Sequence, residues 1–450
     1  MFQKRAVLIA VPFFYLLSGC GSDGSTSVVA KENVIAVNTE FSVHAITLNE
    51  CGEEEALAHA NIILHDKNGK KLSSLQTGSD GKYIGEYPKE ARHLTIVGME
   101  SFDQSLEITK IKSFIDFNGG NIGKVTFLNN RNYVGNKCLK TEDINADIFE
   151  LRSEAPDYII KNRGKRYRVA NYTSDSIYLY SASEGLKVDV TMTTPDGSYT
   201  TAALLDGNQP ISVDHQLKLS DFKYEGVRVD SVEPVGAEKY SAYGLMNGLK
   251  FLENGNEGGL ESDRGIPFIF PDLIENNFFA ASATKYQGLN GLQTWEDVFV
   301  RNRVDKDGSV KELILPEFNN AYINAIWAFA SNFSIDKMNA EYDFSNVADG
   351  MNFVQFRFYW DKAYQERVIW TVQGALHGDF PFLEIDEYIQ SNRIPEILVD
   401  ISLHGFNHEG ELDSFRSEMA KASQLSDRYN SDLYDSYIQI NSQFWINRTN

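Results

Sequence analysis

Cysteine is scarce in this chain, with three in 450 residues, at Cys20, Cys51 and Cys138. So few thiols exclude a multiply bridged scaffold, and without a C-x-x-C pair or nearby histidine spacing they do not compose a zinc site. Positive charge is also in deficit: 42 Lys and Arg face 63 Asp and Glu, a net charge of −21. That balance excludes nucleic acid as a partner, because phosphate binding needs a basic footprint. It also disfavours simple electrostatic adsorption to an anionic membrane. No apolar run reaches the roughly 20 residues that a spanning helix needs. HExxH, GxSxG, GxxxxGK[ST] and a helix-opening GxGxxG are all missing, which removes zinc-protease, nucleophile-elbow and phosphate-loop chemistry. What is present is an ordinary globular composition, 42% hydrophobic and 23% charged, in a chain long enough for about three domains. Aromatic residues make up 12% and favour strands.

The first twenty residues carry an address. Lys4 and Arg5 precede the apolar run Ala6 to Leu17, which is broken only by Pro12. It is too short to span a bilayer and has the size of a secretory core. Leu17-Ser18-Gly19-Cys20 follows, and with it the segment resembles a bacterial lipoprotein precursor. The resemblance implies a signal peptide over 1–19, cleavage before Cys20, acylation of Cys20, and a bilayer held through those acyl chains. Gly21 stands where Asp would favour inner-membrane retention, which implies the outer membrane. Residues 20–36 are small and polar and read as a tether. Removal of 1–19 takes away Lys4 and Arg5 and no acid, leaving 40 basic against 63 acidic residues, or −23. Cys51 and Cys138 then form an even pair in an exported chain. A disulfide is expected, worth about 4–5 kcal/mol on the chain-entropy model, with two free buried thiols as the alternative.

Residues 37–142 read as a first β-sandwich. Ile62 and Leu64 alternate with Ile63 and His65, an Asn68-Gly69 turn follows, and Asp80-Gly81 makes the next. Ala60, Asp66 with Gly69, and Thr77 with Asp80, Gly81 and Tyr83 resemble the carboxypeptidase-regulatory-like or transthyretin-like sandwich family. In that family the module is a rigid spacer or binding scaffold without catalytic residues. Asp66 and Asp80 read as turn formers, and His65 and His93 as strand histidines rather than ligands.

The remainder stays strand-rich. Residues 145–235 read as a second sandwich, with Leu186, Val188, Val190 and Met192 on one strand face. Residues 236–450 read as a further β-rich region, of one or two modules. There Val354, Phe356, Phe358 and Trp360 alternate with Gln355, Arg357 and Tyr359, while Val368, Trp370 and Val372, then Ile397, Val399, Ile401 and Leu403, repeat the device. These are core stripes first, with an aromatic carbohydrate platform as the weaker use. Helical spacing predicts helices over Glu411–Leu425 and Ala321–Ala330. The fold class is therefore mainly β: tandem antiparallel sandwiches with one or two helices near the C-terminal part.

Two clusters invite a metal reading. Asp305 and Asp307 lie in a D-x-D-G stretch that could take calcium, although Glu312 misses the loop register and a hairpin between Val304 and Val310 explains it as well. His404 and His408 are four apart, but Gly405 and Gly410 argue against the helix that would stack them. No catalytic residue and no resident cofactor is assigned. The reading is a non-enzymatic, lipid-anchored envelope protein that presents β modules to a protein or glycan partner. The alternative is an anchored hydrolase whose C-terminal region brings His377, His404 and His408 together with carboxylates.

Overall fold

The computed structural model describes residues 39–447 apart from 49–53, 103–105, 129–142, 163–164, 172–175, 181–186, 207–214, 231–232, 247–248, 257–264, 290–291, 318–319, 335–337, 364–365, 390–393 and 395. Leu17, Ser18, Gly19 and Cys20 of the lipobox, the tether, and the Cys51–Cys138 pair lie outside the described residues.

The chain opens with β1 (Thr39–Leu48), β2 (Glu54–Ala56), β3 (Asn61–Asp66), β4 (Lys71–Gln76), β5 (Lys82–Tyr87), β6 (Ala91–Phe102), β7 (Leu106–Phe114) and β8 (Gly120–Leu128). β1 pairs with β2, β5 and β8, the last in parallel, and this sheet lies over β3 and β6. Phe41, Val43, Ile62, Leu64, Leu94, Ile96 and Phe127 fill the space between. Ile63 points the other way and is equally buried, in a second core. A strand covered on both faces needs a continuous apolar run, which is why NIIL stands where simple alternation would place polar residues. The turns form as their residues require. The Asp66 carboxylate accepts from the amides of Asn68 and Lys70 at 2.8 and 2.9 Å, and Asp80 accepts from Lys82 at 3.0 Å. Thr77 bonds both Ala60 and Leu57, closing the loop that precedes β3.

The middle stretch comprises β9 (Asp143–Asp147), α1 (Phe149–Glu154), β10 (Ile159–Asn162), β11 (Lys165–Arg168), β12 (Ser176–Tyr180), β13 (Lys187–Thr193), β14 (Thr200–Asp206), β15 (His215–Gln216) and β16 (Tyr224–Glu225). Sheets ordered β11-β10-β13-β14-β16 and β12-β9-β15 enclose Ile160, Leu179, Val188, Val190 and Leu205.

The last stretch holds β17 (Val227–Arg228), β18 (Lys239–Met246), β19 (Leu249–Asn256), β20 (Phe268–Ile269), β21 (Asn276–Leu289), β22 (Leu292–Arg303), α2 (Asn320–Asn332), β23 (Ala340–Asp343), β24 (Phe353–Ala363), β25 (Glu366–Gly374), β26 (His377–Phe380), α3 (Asp386–Ile389), β27 (Glu396–Phe406), α4 (Leu412–Ala422) and β28 (Ser436–Asn447). The two longer helices fall where spacing predicted them. The protein is mainly β, as the alternation implied, and most of its ladders are antiparallel.

One sheet of twelve strands runs β19-β18-β21-β22-β28-β27-β24-β25-β7-β6-β3-β4 and so crosses from the C-terminal region into the first sandwich. The seam is the parallel ladder between β7 and β25, from Glu107 opposite Glu366 to Phe114 opposite Gln373. Residues Asn38–Asn450 make one compact unit, which this seam explains. A buried chain of hydrogen bonds ties it: His65 Nε2 to Thr95 Oγ1 at 3.0 Å, Thr95 to Ser113 at 2.8 Å, and Trp370 Nε1 donating to Ser113 Oγ at 2.9 Å. Burial pushes the His65 imidazole down to about 4, so it is neutral in this network.

The two faces of the long sheet differ. On one, α2 and the β23–β26 ribbon cover Val354, Phe356, Phe358, Trp370 and Val372, with Phe329 stacked on Phe356 at 4.8 Å and Phe333 on Phe358 at 5.3 Å. On the other, α4 and the turns after it cap one end, burying Phe353, Phe415, Phe278 and Tyr429. The Arg416 guanidinium, on α4, donates to the carbonyl of Ile115 at 2.8 Å and pins the cap to the end of β7. The cap also touches β8, where the Lys124 amide donates to Ser423 Oγ at 3.2 Å, and beyond it the described residues leave the sheet face open toward β22.

The 66–70 turn docks on the C-terminal region. Gly69 has φ +83°, and a Cβ there would lie 1.8 Å from the Phe382 carbonyl oxygen. Gly197 also has positive φ, +69°, but faces open space. Gly197→Ala is expected to cost about 1 kcal/mol from conformation alone, and Gly69→Ala more than about 3 kcal/mol, because the docking backbone must move as well. Denaturant midpoints of the two variants check the ranking.

Candidate polar face of the long sheet

A strand in a sheet covered on one side places every second residue on the open side. On β22 these are Trp295, Asp297 and Phe299; on β28, Gln439, Asn441, Gln443 and Trp445; on β27, Leu398, Asp400, Ser402 and His404; on β24, Gln355, Arg357 and Tyr359. Register brings them into rows perpendicular to the strands. Tyr286 stands opposite Trp295, Trp295 opposite Gln443, Gln443 opposite Asp400, Asp400 opposite Arg357, Arg357 opposite Thr371, and Thr371 opposite Lys112. A second row runs Thr284, Asp297, Asn441, Ser402, Gln355, Gln373. At a strand spacing of about 4.8 Å, the five gaps from Trp295 to Lys112 span about 24 Å.

The aromatic members of this face lie open. Trp295 is 58% exposed, Trp445 56% and Tyr286 50%, and the Trp295 and Tyr286 rings meet at 5.0 Å. Polar neighbours hold one another in place. Thr284 donates to Asp297 at 2.8 Å, and Ser402 donates to Asn441 Oδ1 at 2.7 Å and to Asp400 at 3.1 Å. Arg357 donates to the Tyr359 hydroxyl at 3.0 Å and lies 3.9 Å from Asp400. Burial raises the Asp400 carboxyl above its ordinary value, with Arg357 and then Ser402 opposing it. Flat aromatic rings beside amides, a carboxylate and a guanidinium match a ligand with apolar C–H faces and hydroxyl edges.

The metal candidates take other roles. Asp305 and Asp307 both engage Ser309, whose hydroxyl donates to them at 3.2 and 2.7 Å, inside a hairpin closed by Val304 and Val310. Those hydrogen bonds hold the Asp307 carboxyl below its usual range. His404 lies at the margin of the cap, stacked on Phe353 at 4.7 Å with Nδ1 2.8 Å from the Tyr437 hydroxyl. Burial, then Arg357, pushes it down to about 3. His408 lies past the end of β27 and contacts Glu418 and Ser414, each at 3.0 Å. Strand geometry thus sends the two histidines to different partners. His377 sits in the ribbon on the far side of the sheet, opposite Asp343. The three histidines do not converge, and no group of three His, Cys, Asp or Glu side chains among the described residues is placed to hold a metal.

Alternation alone marks Gln355, Arg357 and Tyr359 as the residues opposite a core stripe. It misses Trp295, Tyr286 and Trp445. The signal was the alternation of Gln439, Asn441, Gln443 and Trp445, which matches their strand in period but says nothing of which strand lies alongside.

No family model matches the chain, and no curated protein matches it. Among solved structures, two B repeat units of the collagen-binding protein of Staphylococcus aureus align with 75% of this chain and 100% of that one, at 12% identity and a TM-score of 0.13. A superposition that loose carries no argument about fold or function.

Directly behind this face, Glu296 is 2% exposed, and its carboxylate accepts from the side-chain amide of Gln287. Burial raises its pKa from 4.5 to about 7. The folded state therefore holds the proton more tightly than the unfolded chain. Stability is full below about pH 4.5, falls as pH rises toward 7, and is flat above. Glu296→Gln is expected to abolish this decline, raising the thermal midpoint at pH 8 relative to the parent and leaving it unchanged at pH 4. Calorimetry at the two pH values checks this.

Proposed function

We propose that this chain is a lipid-anchored, non-enzymatic envelope protein that binds glycan on the open face of its long sheet. The observation that carries the reading is the in-register row from Tyr286 and Trp295 through Gln443, Asp400 and Arg357 to Lys112. The two exposed indoles lie beside Tyr286 and Leu398 and, along the same rows, beside fixed donors and acceptors. A sugar ring has both surfaces: its C–H face stacks on indole, and neighbouring hydroxyls bond a planar amide or carboxylate in pairs. The row is long enough for several rings end to end. Anchoring through Cys20 rests on the lipobox and places the binding face outside the cytoplasm, with 20–36 as the tether. A protein with −23 in its mature part is repelled by an anionic surface, so lipid supplies the attachment that charge cannot.

Binding is tested by isothermal titration across a panel of oligosaccharides. A binder is expected, and Trp295→Ala should weaken it by about tenfold, the value of one stacking contact near 1.4 kcal/mol. Absence of binding across the panel, or equal affinity in the Trp295 variant, contradicts the assignment. For the anchor, Cys20→Ser is expected to move the protein from the membrane fraction to the soluble fraction. Unchanged membrane association would refute lipid attachment.

A further inference from the structure

The polar face is not uniform in charge along its row. At the Trp295 end it is aromatic and amide-rich. At the other end Arg357 on β24 and Lys112 and Lys110 on β7 flank the single strand β25, Arg357 and Lys112 separated only by Thr371. Asp400 lies 3.9 Å from Arg357, and no carboxylate pairs with Lys112 among the described residues. The Lys112 stem is half-buried, and its ammonium lies 5.5 Å from the centre of the Phe127 ring on β8, at the corner where the first sandwich walls off the face. Burial first, then the charges of Arg357 and Lys110, pushes this ammonium down to about 8. A protonated lysine held among cations is stabilised when an anion arrives.

Resting on the glycan reading, we propose that the ligand is an acidic glycan, with a ring stacked at Trp295 and a carboxylate seated between Lys112 and Arg357. The long-range charge of the protein does not forbid this. At physiological salt, charges beyond about 8 Å are largely screened, so the local pair decides the sign. Arg357 supplies a fork that fits a carboxylate, and Lys112 a point charge beside it. The β8 wall next to Lys112 makes this the closed end of the row, where a terminal or penultimate acidic sugar comes to rest.

The test pairs oligomers of glucuronic, galacturonic and mannuronic acid with their methyl esters, which keep the ring and remove the charge. With the full chain at low salt, at least one acid form is expected to bind at least tenfold more tightly than its ester. Lys112→Gln should bring the acid form to the ester's affinity and leave the ester unchanged, while Lys112→Arg should keep the preference. Raising the salt to 0.5 M should shrink it. Acid and ester bound equally, or both weakened alike by Lys112→Gln, would overturn the acidic ligand and leave a neutral-glycan face intact. Binding of neither form by a folded protein, together with no binder in the neutral panel, would overturn the glycan reading itself.

Discussion

The parallel ladder between β7 and β25 is the constraint on which the rest of the molecule depends. Two segments far apart in sequence, Leu106–Phe114 and Glu366–Gly374, lie side by side through eight aligned residues. Closing so long a loop is entropically costly, and the cost must be met by contacts at the seam. The contacts are there: Trp370 donates to Ser113, Arg416 reaches the Ile115 carbonyl, and Ile63, Val97 and Ile111 share a core with Val354, Phe356 and Trp370. Without this ladder the first sandwich would keep an open sheet edge, which invites pairing with other chains. With it, the two halves become one twelve-stranded surface.

That surface explains why the two sides are treated so differently. Covering one face with α2 and the β23–β26 ribbon buries a dense set of rings, among them Phe329, Phe333, Phe356, Phe358 and Phe380. Among the described residues the other face is covered by α4 and by β8, which meet at Lys124 and Ser423. The strip beyond them keeps indoles, amides and charged groups in water. A half-covered antiparallel sheet can afford this, because its backbone bonds are satisfied within the ladder whatever lies on the face. Rigid strands then fix the side-chain spacing, which loops would not. The proposed ligand follows from this geometry more than from any one residue.

Much of the local structure could be read from the sequence. The stripe Val354, Phe356, Phe358 and Trp360 is buried as its period required, α4 and α2 fall on the predicted spacings, and Asp66 and Asp80 shape turns. These are short-range effects, written within a few neighbouring residues. Strand order is different. That β25 lies beside β7 depends on packing between segments with no local cue, and a parallel pairing has no hairpin to announce it. The site was hidden for the same reason. Tyr286, Trp295, Gln443, Asp400, Arg357 and Lys112 come from six strands, and only the register of six ladders sets them in line. His404 and His408 are four apart in sequence, with Gly405 and Gly410 arguing against a shared helix, and strand and loop carry them to Tyr437 and Glu418.

The five tryptophans supply the most direct test of the central claim, that the open face of the long sheet is where ligand binds. Trp295 and Trp445 stand on that face, Trp327 is exposed on α2 behind the sheet, and Trp360 and Trp370 are buried. Their indole N–H resonances can be followed by NMR as a binding oligosaccharide is added. The account predicts that the Trp295 and Trp445 signals move with saturation while those of Trp327, Trp360 and Trp370 stay in place. Movement of Trp327 with Trp295 and Trp445 unchanged would contradict it.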